Sequence, residues 1–497
     1  MADNTKKNKT RIFTDIQKNI DYIKKCFSNC FDLIIREISL FNYMDKTAIV
    51  VYIEDLVEKK LIEDNLISKL TCNIDSEAAN RNYADLLKYN LGISDLKVHE
   101  NFEDSIEAVL SGNPIVFLPD LASSFEVNLK NLPNRSISEP PTEVSTRGPR
   151  EGFTESIMTN IALIRKKIRN CNLKVEKFKI GEKTNTDVSM LYLSGEANET
   201  IVNTLRKKLK RIKIESLLES NYIAEYIYDQ PKTIYPVMFK TEKPDVACAK
   251  ILEGRIVIIV DGSPVVLSIP GLFVEFLQSS EDYYIKYSSA TLNRFIRYLA
   301  LMITVELPAL YVALTTFHQE LIPSRLLLSI IEARANVPFP EFWEVFFMLI
   351  AFELMREAGI RVSKTLGPTI SVVGALILGD SAVMAGIVGT PTVVIVSLTA
   401  ITKFVVPAFE LEHPIIYMRF FLLTLAGCLG LFGLICGILI LTMRLVSIKS
   451  FGVPYMFPIC PFNINSMEDV VIRAPMEDLK NTRRILDLKR NLNRKNH

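Results

Sequence analysis

The chain has 497 residues, of which 49% are hydrophobic and 23% are charged. Its 58 basic and 56 acidic residues leave a formal net charge of +2, which gives no argument for binding nucleic acid or another polyanion. Most charged residues lie before Arg297 or after Met443. The apolar region between these two residues predicts an integral membrane domain.

The N-terminal stretch, MADNTKKNKTRIF, lacks the apolar segment and the small-residue cleavage site of a secretory signal. We therefore expect the polar N-terminal part to stay on the side of the membrane on which the chain is synthesised. The eight cysteines follow neither a CxxC pattern nor a metal-ligand spacing. This favours reduced, structural thiols and predicts no metal and no cofactor.

Residues 1–45 predict an amphipathic helical segment, because apolar residues recur at helical spacing between Ile16 and Phe31. Residues 46–138 and residues 171–290 each predict a small α/β subdomain. Both contain a β-branched strand, a charged helix, and a helix that leads through SGN or EGR into another strand. This repeated order indicates an internal duplication.

The predicted fold class is thus a soluble α/β region of two subdomains, followed by an all-α transmembrane domain, residues 291–450. A polar, basic tail, residues 451–497, ends the chain. The linker between the subdomains, residues 139–170, contains RGPREGF and is punctuated by proline and glycine.

Four linker residues are candidates for a functional role: Arg147, Arg150, Glu151 and Arg165. The arginines could gather an anion at the N-terminus of the helix that follows. The alternative is a latch between the subdomains, or to a neighbouring subunit. We favour the latch, since an arginine-rich loop alone is a weak motif.

The sequence contains no phosphate-binding loop, HExxH, GxSxG or dinucleotide fingerprint, and only four histidines. We therefore expect no enzyme. Function is expected in the membrane domain, where ionisable residues are costly and point to a function.

Four apolar runs predict transmembrane spans: 298–317, 370–389, 391–409 and 420–443. Two shorter segments, 324–336 and 341–356, carry charges and predict interfacial or re-entrant helices. An even number of spans keeps the basic tail on the cytoplasmic side with the N-terminal domain, as the positive-inside rule prefers. If the helix at 341–356 crosses, the tail changes sides.

Within the first span, Glu306 precedes Pro308, which frees a backbone carbonyl one turn earlier. The carboxylate could bind a cation or a facing basic side chain. Alternatively, it is protonated and hydrogen-bonded inside the helix bundle.

The second span has two adjacent stripes on a helical wheel. Small residues form one stripe: Ala375, Gly379, Ala382 and Gly386. Such a stripe allows close approach of another helix. The neighbouring stripe consists of Val373, Ile377, Asp380 and Met384. If identical subunits packed through the small residues, the neighbouring stripe would line a central lumen with an apolar constriction and an acidic ring.

Pairing of Asp380 with Lys403 is the alternative to the acidic ring. Residues 389–391 predict a tight turn, so the second and third spans form a hairpin that brings both charges to similar depth. An intramembrane ion pair would satisfy both charges without a pore. The residues alone favour the pair.

Five blocks of the sequence resemble the A subunits of GerA-type spore germinant receptors. They are STRGPREGFTESIMTNIALIRKKI, GRIVIIVDGSPVVLSIP with SSEDYY, ALYVALTTFHQELIP, the stretch from NVPFPEFWEVFF to GDSAVMAGIV, and FGVPYMFP. The resemblance covers the chain from about residue 40 to Phe462.

The resemblance implies a multi-pass protein of the spore inner membrane with a cytoplasmic N-terminal domain. It implies two partners, a transporter-like B subunit and a C lipoprotein. It further implies an oligomeric ring, a pentamer, that serves as a nutrient-gated cation channel with its pore helix at 370–389. In that family the position of Asp380 is commonly glutamine and that of Lys403 small or polar, which favours the compensating pair.

The residues at positions 380 and 403 do not affect an apolar constriction formed by Val373, Leu376 and Ile377. Such a constriction closes a pore by expelling water, which needs no charge. A secondary transporter or a scaffolding subunit without its own pore is the alternative function. The spans show neither an inverted repeat nor a pair of broken helices in corresponding positions, which speaks against a transporter.

Overall fold

The computed structural model describes residues 10–40, 47–68, 96–129, 143, 147–230, 232–361, 374 and 379–477. The described chain forms two compact units. The first contains residues up to Tyr228 together with Lys240–Pro270, and the second contains Asp229–Phe239 and the chain from Gly271 onward.

The first half of the first unit is an α/β subdomain built on a five-stranded antiparallel sheet. Its elements are α1 (Ile16–Cys26), β1 (Leu33–Ser39), β2 (Thr47–Ile53), α2 (Lys59–Ile62), β3 (Leu96–His99), α3 (Phe102–Leu110), β4 (Ile115–Phe117) and β5 (Ser124–Val127). The strand order is β1-β2-β4-β5-β3.

The second half repeats this plan. Its elements are α4 (Ile157–Lys167), β6 (Leu173–Ile180), β7 (Thr186–Leu193), α5 (Glu199–Arg211), α6 (Ser220–Ile227), β8 (Phe239–Thr241), α7 (Pro244–Leu252), β9 (Ile256–Val260) and β10 (Val266–Ile269). The strand order β6-β7-β9-β10-β8 is the same as in the first sheet. The predicted fold class, two small α/β subdomains, is confirmed.

A buried asparagine occurs at the same place in both halves. The amide of Asn19 in α1 accepts the Phe13 N–H at 2.9 Å and donates to the Phe13 carbonyl at 2.8 Å. Asn160 in α4 forms the same two bonds with Thr154, at 2.8 and 2.6 Å. Both asparagines are buried, and both fix the chain that enters the helix. Together with the common sheet topology, this supports an internal duplication.

Part of the segment predicted as helical forms strand β1 instead. Leu33–Ser39 pairs antiparallel with β2 over seven residues. The sequence LIIREIS contains three isoleucines, and β-branched side chains fit a sheet surface better than a helix. Within the described part of segment 1–45, the amphipathic helical pattern holds for α1.

Helix α4 joins the two halves of the first unit. Ala162 packs into the core of the first half, whereas Leu163 and Ile164 pack into the core of the second. On the same helix, the fully buried Arg165 donates to both oxygens of Asp32, at 2.7 Å through Nε and 3.1 Å through Nη2. This is a bidentate ion pair, the geometry that a guanidinium and a carboxylate favour.

The second unit is mainly helical. Its helices are α8 (Tyr287–Phe317), α9 (Ser324–Arg334), α10 (Glu341–Arg361), α11 (Ala382–Met384), α12 (Thr390–Lys403) and α13 (Glu412–Ser447), followed by a short hairpin of β11 (Lys449–Ser450) and β12 (Val453–Pro454). Helix α8 contains the predicted span 298–317.

Helices α10 and α12 both run antiparallel to α8. The hydroxyl of Thr316, at the end of α8, donates to Glu341 at the start of α10 at 2.6 Å. Tyr311 contacts Thr392 at the start of α12 at 3.4 Å. Thr304, further back in α8, donates to Thr402 at the end of α12 at 2.9 Å. Segment 341–356, predicted as interfacial or re-entrant, thus belongs to a longer helix that lies alongside α8.

Helix α13 reverses direction at Gly430, so the predicted span 420–443 is not one straight helix. Gly430 has φ +61° and ψ −143°, a conformation that only glycine adopts readily. A Cβ at Gly437 would lie 2.6 Å from Cδ2 of Leu422, although 15 residues of continuous helix span about 22 Å. A Cβ at Gly430 would also lie 2.8 Å from Cβ of Phe317. The reversal therefore requires glycine for both conformation and packing.

Among the described helices, two are long and apolar enough to cross a membrane by length and composition, Tyr287–Phe317 and Phe409–Ser447, and the second reaches this length only when it is counted through the reversal at Gly430. Thr390–Lys403 is apolar but shorter. The predicted span 391–409 therefore ends at Lys403, where a turn leads to Pro407. Eight of the twenty residues of the predicted span 370–389, namely 370–373 and 375–378, lie outside the described residues.

Removing the carboxylate of the buried pair should destabilise the first unit strongly. We expect Asp32→Asn to lower its free energy of unfolding by about 3–5 kcal/mol, because Arg165 would remain buried without a counter-charge. Pulse proteolysis of the full-length protein in urea measures this. The control is Glu215→Gln, which breaks an exposed pair with Lys183 and should cost less than about 1 kcal/mol. Equal effects of the two substitutions would contradict the expectation.

Candidate functional site

The predicted linker residues have different environments. Arg165 pairs with Asp32, and although burial lowers its pKa, the carboxylate raises the pKa of this guanidinium above its ordinary value. Glu151 pairs with Lys166 at 3.1 Å and Lys167 at 2.8 Å. The hydrogen bond from Lys167 holds the pKa of the Glu151 carboxyl below its usual range.

The N-terminus of α4 is already occupied. Asp261 accepts the N–H of Ile157 at 3.1 Å, and the hydroxyl of Ser156 accepts the N–H of Thr159 at 3.4 Å. A second anion there would meet the carboxylate of Asp261. Arg147 and Arg150 are exposed in the loop before the helix. Of the two interpretations, the latch between subdomains is the one that the contacts of Arg165 support.

The helical unit contains two clusters of charged side chains. The first charge cluster consists of Arg334, Glu341 and Glu344, where α9 and α10 meet. Arg334 bonds to Glu344 at 2.6 Å through Nη2, and its Nη1 contacts Glu341. The side chain of Glu344 is fully buried. Burial of a carboxylate is tolerated here because a guanidinium and several donors surround it.

Glu344 also holds the turn that precedes α12. Its Oε2 accepts the backbone N–H of Gly389 at 3.0 Å and the hydroxyl of Thr392 at 3.1 Å. One carboxylate thus ties α10 to the end of the predicted pore segment. Glu344 is a positioning residue for that segment.

The second charge cluster consists of Glu353, Arg356, Lys403, Glu412 and Arg419, contributed by α10, α12 and α13. Lys403 lies 3.0 Å from Glu353 and 3.1 Å from Glu412. Arg356 bonds to Glu353 at 2.8 Å and Glu412 at 2.5 Å. Arg419 bonds to Glu353 at 2.5 Å. Lys403 and Arg419 are buried, so the bonds of this cluster are shielded from solvent.

The described part of the predicted pore helix consists of Gly374 and residues 379–389. The end of the segment contains a π-helical turn at residues 379–381 and the single-turn helix α11. Gly386 then adopts φ +64°, which ends the helix before residue 389. Asp380 and Met384 are exposed, and Gly379, Ala382 and Gly386 are half-buried. Four predicted site residues lie outside the described residues: Val373, Ala375, Leu376 and Ile377.

The predicted pairing of Asp380 with Lys403 does not occur in the described part of the chain. Lys403 instead binds two carboxylates, Glu353 and Glu412. The physical reason is that α10 lies beside α12 and supplies the partly buried carboxylate of Glu353 at the level of Lys403. Glu306, the other predicted intramembrane charge, is half-buried and forms no ion pair with the residues that the structure describes.

Sequence reasoning missed Glu344, Arg334 and Arg419 as site residues. Arg419 had a usable signal, because it is a lone arginine before a long apolar run and such residues point to partners inside a helix bundle. Arg334 and Glu344 had none, because they lie ten residues apart on two different helices and no helical spacing connects them, and the other partners of Glu344 lie 45 and 48 residues further along the chain. Glu353 and Arg356 have the i,i+3 spacing of an ordinary surface ion pair, so their spacing gives no sign of the partners on other helices.

The structure combines a duplicated α/β unit with a helical unit that contains two helices long and apolar enough to cross a membrane. Residues 21–485 match the family model described as the Bacillus/Clostridium GerA spore germination protein. The chain belongs to this family, as its sequence blocks implied, and thereby to proteins with a role in spore germination.

Relatives match over nearly the whole chain. Spore germination protein KA of Bacillus subtilis is 41% identical over 93% of this chain and 85% of that protein. The uncharacterized membrane protein YfkQ of the same organism is 39% identical over 93% and 90%. The N-terminal domain of the A subunit of the Bacillus megaterium spore germinant receptor GerK3 is a solved structure with 32% identity and a TM-score of 0.44, covering 54% of this chain and 99% of that one.

Loss of charge at Glu344 should loosen the turn before α12. We expect Glu344→Gln to accelerate amide hydrogen exchange at Gly389 by roughly tenfold, because a bond to a charged acceptor is worth about 1–2 kcal/mol more than one to a neutral amide. Hydrogen exchange with mass spectrometry on peptides covering 386–392 measures this. The control, Glu357→Gln, removes a carboxylate at the exposed end of α10. Unchanged exchange in Glu344→Gln would show that the carboxylate does not hold the turn.

Proposed function

We propose that this chain is the A-type membrane subunit of a nutrient germinant receptor in the spore inner membrane. In this proposal several copies, five in the family's pattern, form a cation channel lined by the segment 370–389. The protein acts as a receptor and channel and not as an enzyme. A transporter-like B subunit and a C lipoprotein are its partners, and its N-terminal domain faces the cytoplasm.

The observation that carries the channel proposal is the separation of Asp380 from Lys403. Lys403 has two carboxylate partners, so it does not need Asp380 for compensation. The Asp380 side chain is exposed in the single chain. A carboxylate inside a membrane is costly unless it meets water or a partner. A ring of aspartates around a hydrated lumen meets this requirement and attracts cations.

Two further features support an oligomer. A Cβ at Gly379 would meet no atom within 4 Å, which leaves room for a neighbouring helix, whereas a Cβ at Gly386 would lie 3.1 Å from the carbonyl oxygen of Asn336. The bond from Gly389 to Glu344 fixes the end of the same segment on α10, which gives the lumen helix a rigid anchor. The apolar constriction at Val373, Leu376 and Ile377 remains part of the proposal as the gate.

Asp380→Asn tests the acidic ring directly. The purified protein is measured in planar bilayers under a tenfold KCl gradient. We expect wild-type currents to be cation-selective, and the reversal potential of Asp380→Asn to move toward zero because each copy loses one negative charge. Glu357→Gln removes a charge outside the segment and should leave the reversal potential unchanged. Equal selectivity in wild type and Asp380→Asn would contradict the ring, and absence of currents from folded oligomer would contradict the pore.

A further inference from the structure

Part of the predicted polar tail, residues 469–476, is folded against the start of α8; we call it the tail segment. The backbone N–H of Arg473 donates to the hydroxyl of Thr291 at 3.1 Å. Asp469 accepts a bond of 2.9 Å from Nη1 of Arg294, and both of these side chains are buried. The two bonds hold the tail segment beside the first two turns of α8.

Large apolar side chains of the tail segment and of α8 are exposed at the same level. Ile472 is 64% exposed, Leu292 is 60% exposed and Phe295 is 57% exposed. Because Ile472 directly precedes Arg473, the bond from Arg473 to Thr291 places it at the second turn of α8, where Leu292 lies. Several large apolar side chains exposed at one level indicate a surface that contacts a partner.

The apolar face of α8 indicates what that partner is. Helix α8 is long and apolar enough to cross a membrane. Its exposed apolar side chains continue from Leu292 and Phe295 to Leu299 and Met302, and spacings of three and four residues put all four on one face. A bilayer that surrounds α8 at Met302 therefore meets the same face near the tail segment. Lipid is the partner that this continuity favours.

The depth of the tail segment corresponds to the lipid headgroups. Counted back from Phe317, the roughly 20 residues of a span reach Tyr298. Leu292 precedes Tyr298 by roughly 9 Å along the helix, which is comparable with the thickness of one headgroup layer, about 5–8 Å. Glu468 and Glu477, on either side of the tail segment, are exposed. The headgroup layer is hydrated and admits carboxylates, whereas the hydrocarbon core does not.

The residues before α8 are also of the type found at membrane interfaces. Tyr284 and Tyr287 are exposed, and so is Lys286 between them. Tyrosine is enriched at the level of the headgroups because its ring is apolar and its hydroxyl is polar. Lysine is attracted to anionic headgroups. These three residues favour a lipid surface over a protein surface as the partner.

We propose that the tail segment is an interfacial membrane anchor, in which Ile472 contacts the headgroup layer of the bilayer that α8 crosses. The tail segment and the start of α8 then form one lipid-binding surface. The proposal requires that α8 spans a membrane, but it does not depend on the channel described above.

The test is the depth of a tryptophan at position 472. Trp343, the single tryptophan of the chain, is replaced by phenylalanine, and Ile472→Trp introduces the reporter. Because Ile472 is exposed, this change should not disturb folding. The full-length protein is reconstituted in vesicles of phosphatidylcholine and phosphatidylglycerol that carry a nitroxide quencher either on the headgroup or in the middle of the acyl chain. We expect Ile472→Trp to lose more emission to the headgroup nitroxide than to the acyl nitroxide.

Two control variants in the same background define the scale. Met302→Trp lies within the predicted span of α8 and should lose more emission to the acyl nitroxide. Leu218→Trp replaces a residue that is as exposed as Ile472 but belongs to the α/β unit, and it should keep its emission with both lipids. Equal loss in Ile472→Trp and Leu218→Trp would contradict a local anchor.

The controls also separate this proposal from the membrane location of α8. If Met302→Trp is quenched and Ile472→Trp is not, the anchor is overturned while α8 remains a span. If neither is quenched, α8 is not a span, and both the anchor and the membrane part of the proposed function fail. Ile472→Trp that is shielded from acrylamide but not quenched by either lipid would show that protein covers the tail segment, which also overturns the proposal.

Discussion

The helical unit depends on how Lys403 is neutralised. A lysine at the end of an apolar helix must find a carboxylate or face water, because its desolvation costs several kcal/mol. Here two carboxylates, Glu353 and Glu412, lie within 3.1 Å of its Nζ. This arrangement fixes α10 and α13 against α12. It also leaves Asp380 available for another environment, on which the proposed lumen depends.

Helix α10 acts as the common support of the unit. Glu344 and Glu353 lie nine residues apart, about 13–14 Å along the helix, and each organises one charge cluster. The first cluster holds the turn before α12, and the second holds the end of α12. The first unit is fixed by the same kind of interaction, between Asp32 and Arg165.

The two α/β subdomains and the first span follow from the sequence because they depend on local patterns, β-branched runs and a long apolar stretch. The charge clusters do not, since Lys403 and Glu353 are 50 residues apart and no periodicity connects them. Helix α10 was interpreted as interfacial or re-entrant because its glutamates lower the hydropathy of the segment. The basic residues that neutralise these glutamates lie on α9, α12 and α13, so the local sequence does not show them. The reversal at Gly430 had a local signal in the dense glycines of 427–437, which the apolar pattern concealed.

The most direct test of the account is a pair of double-mutant cycles on the purified full-length protein, read out as the free energy of unfolding of the helical unit. One cycle combines Lys403→Gln with Glu353→Gln, and the other combines Lys403→Gln with Asp380→Asn. We expect a coupling energy of about 1–3 kcal/mol in the first cycle and none in the second. Coupling between Lys403 and Asp380, without coupling to Glu353, would contradict the account.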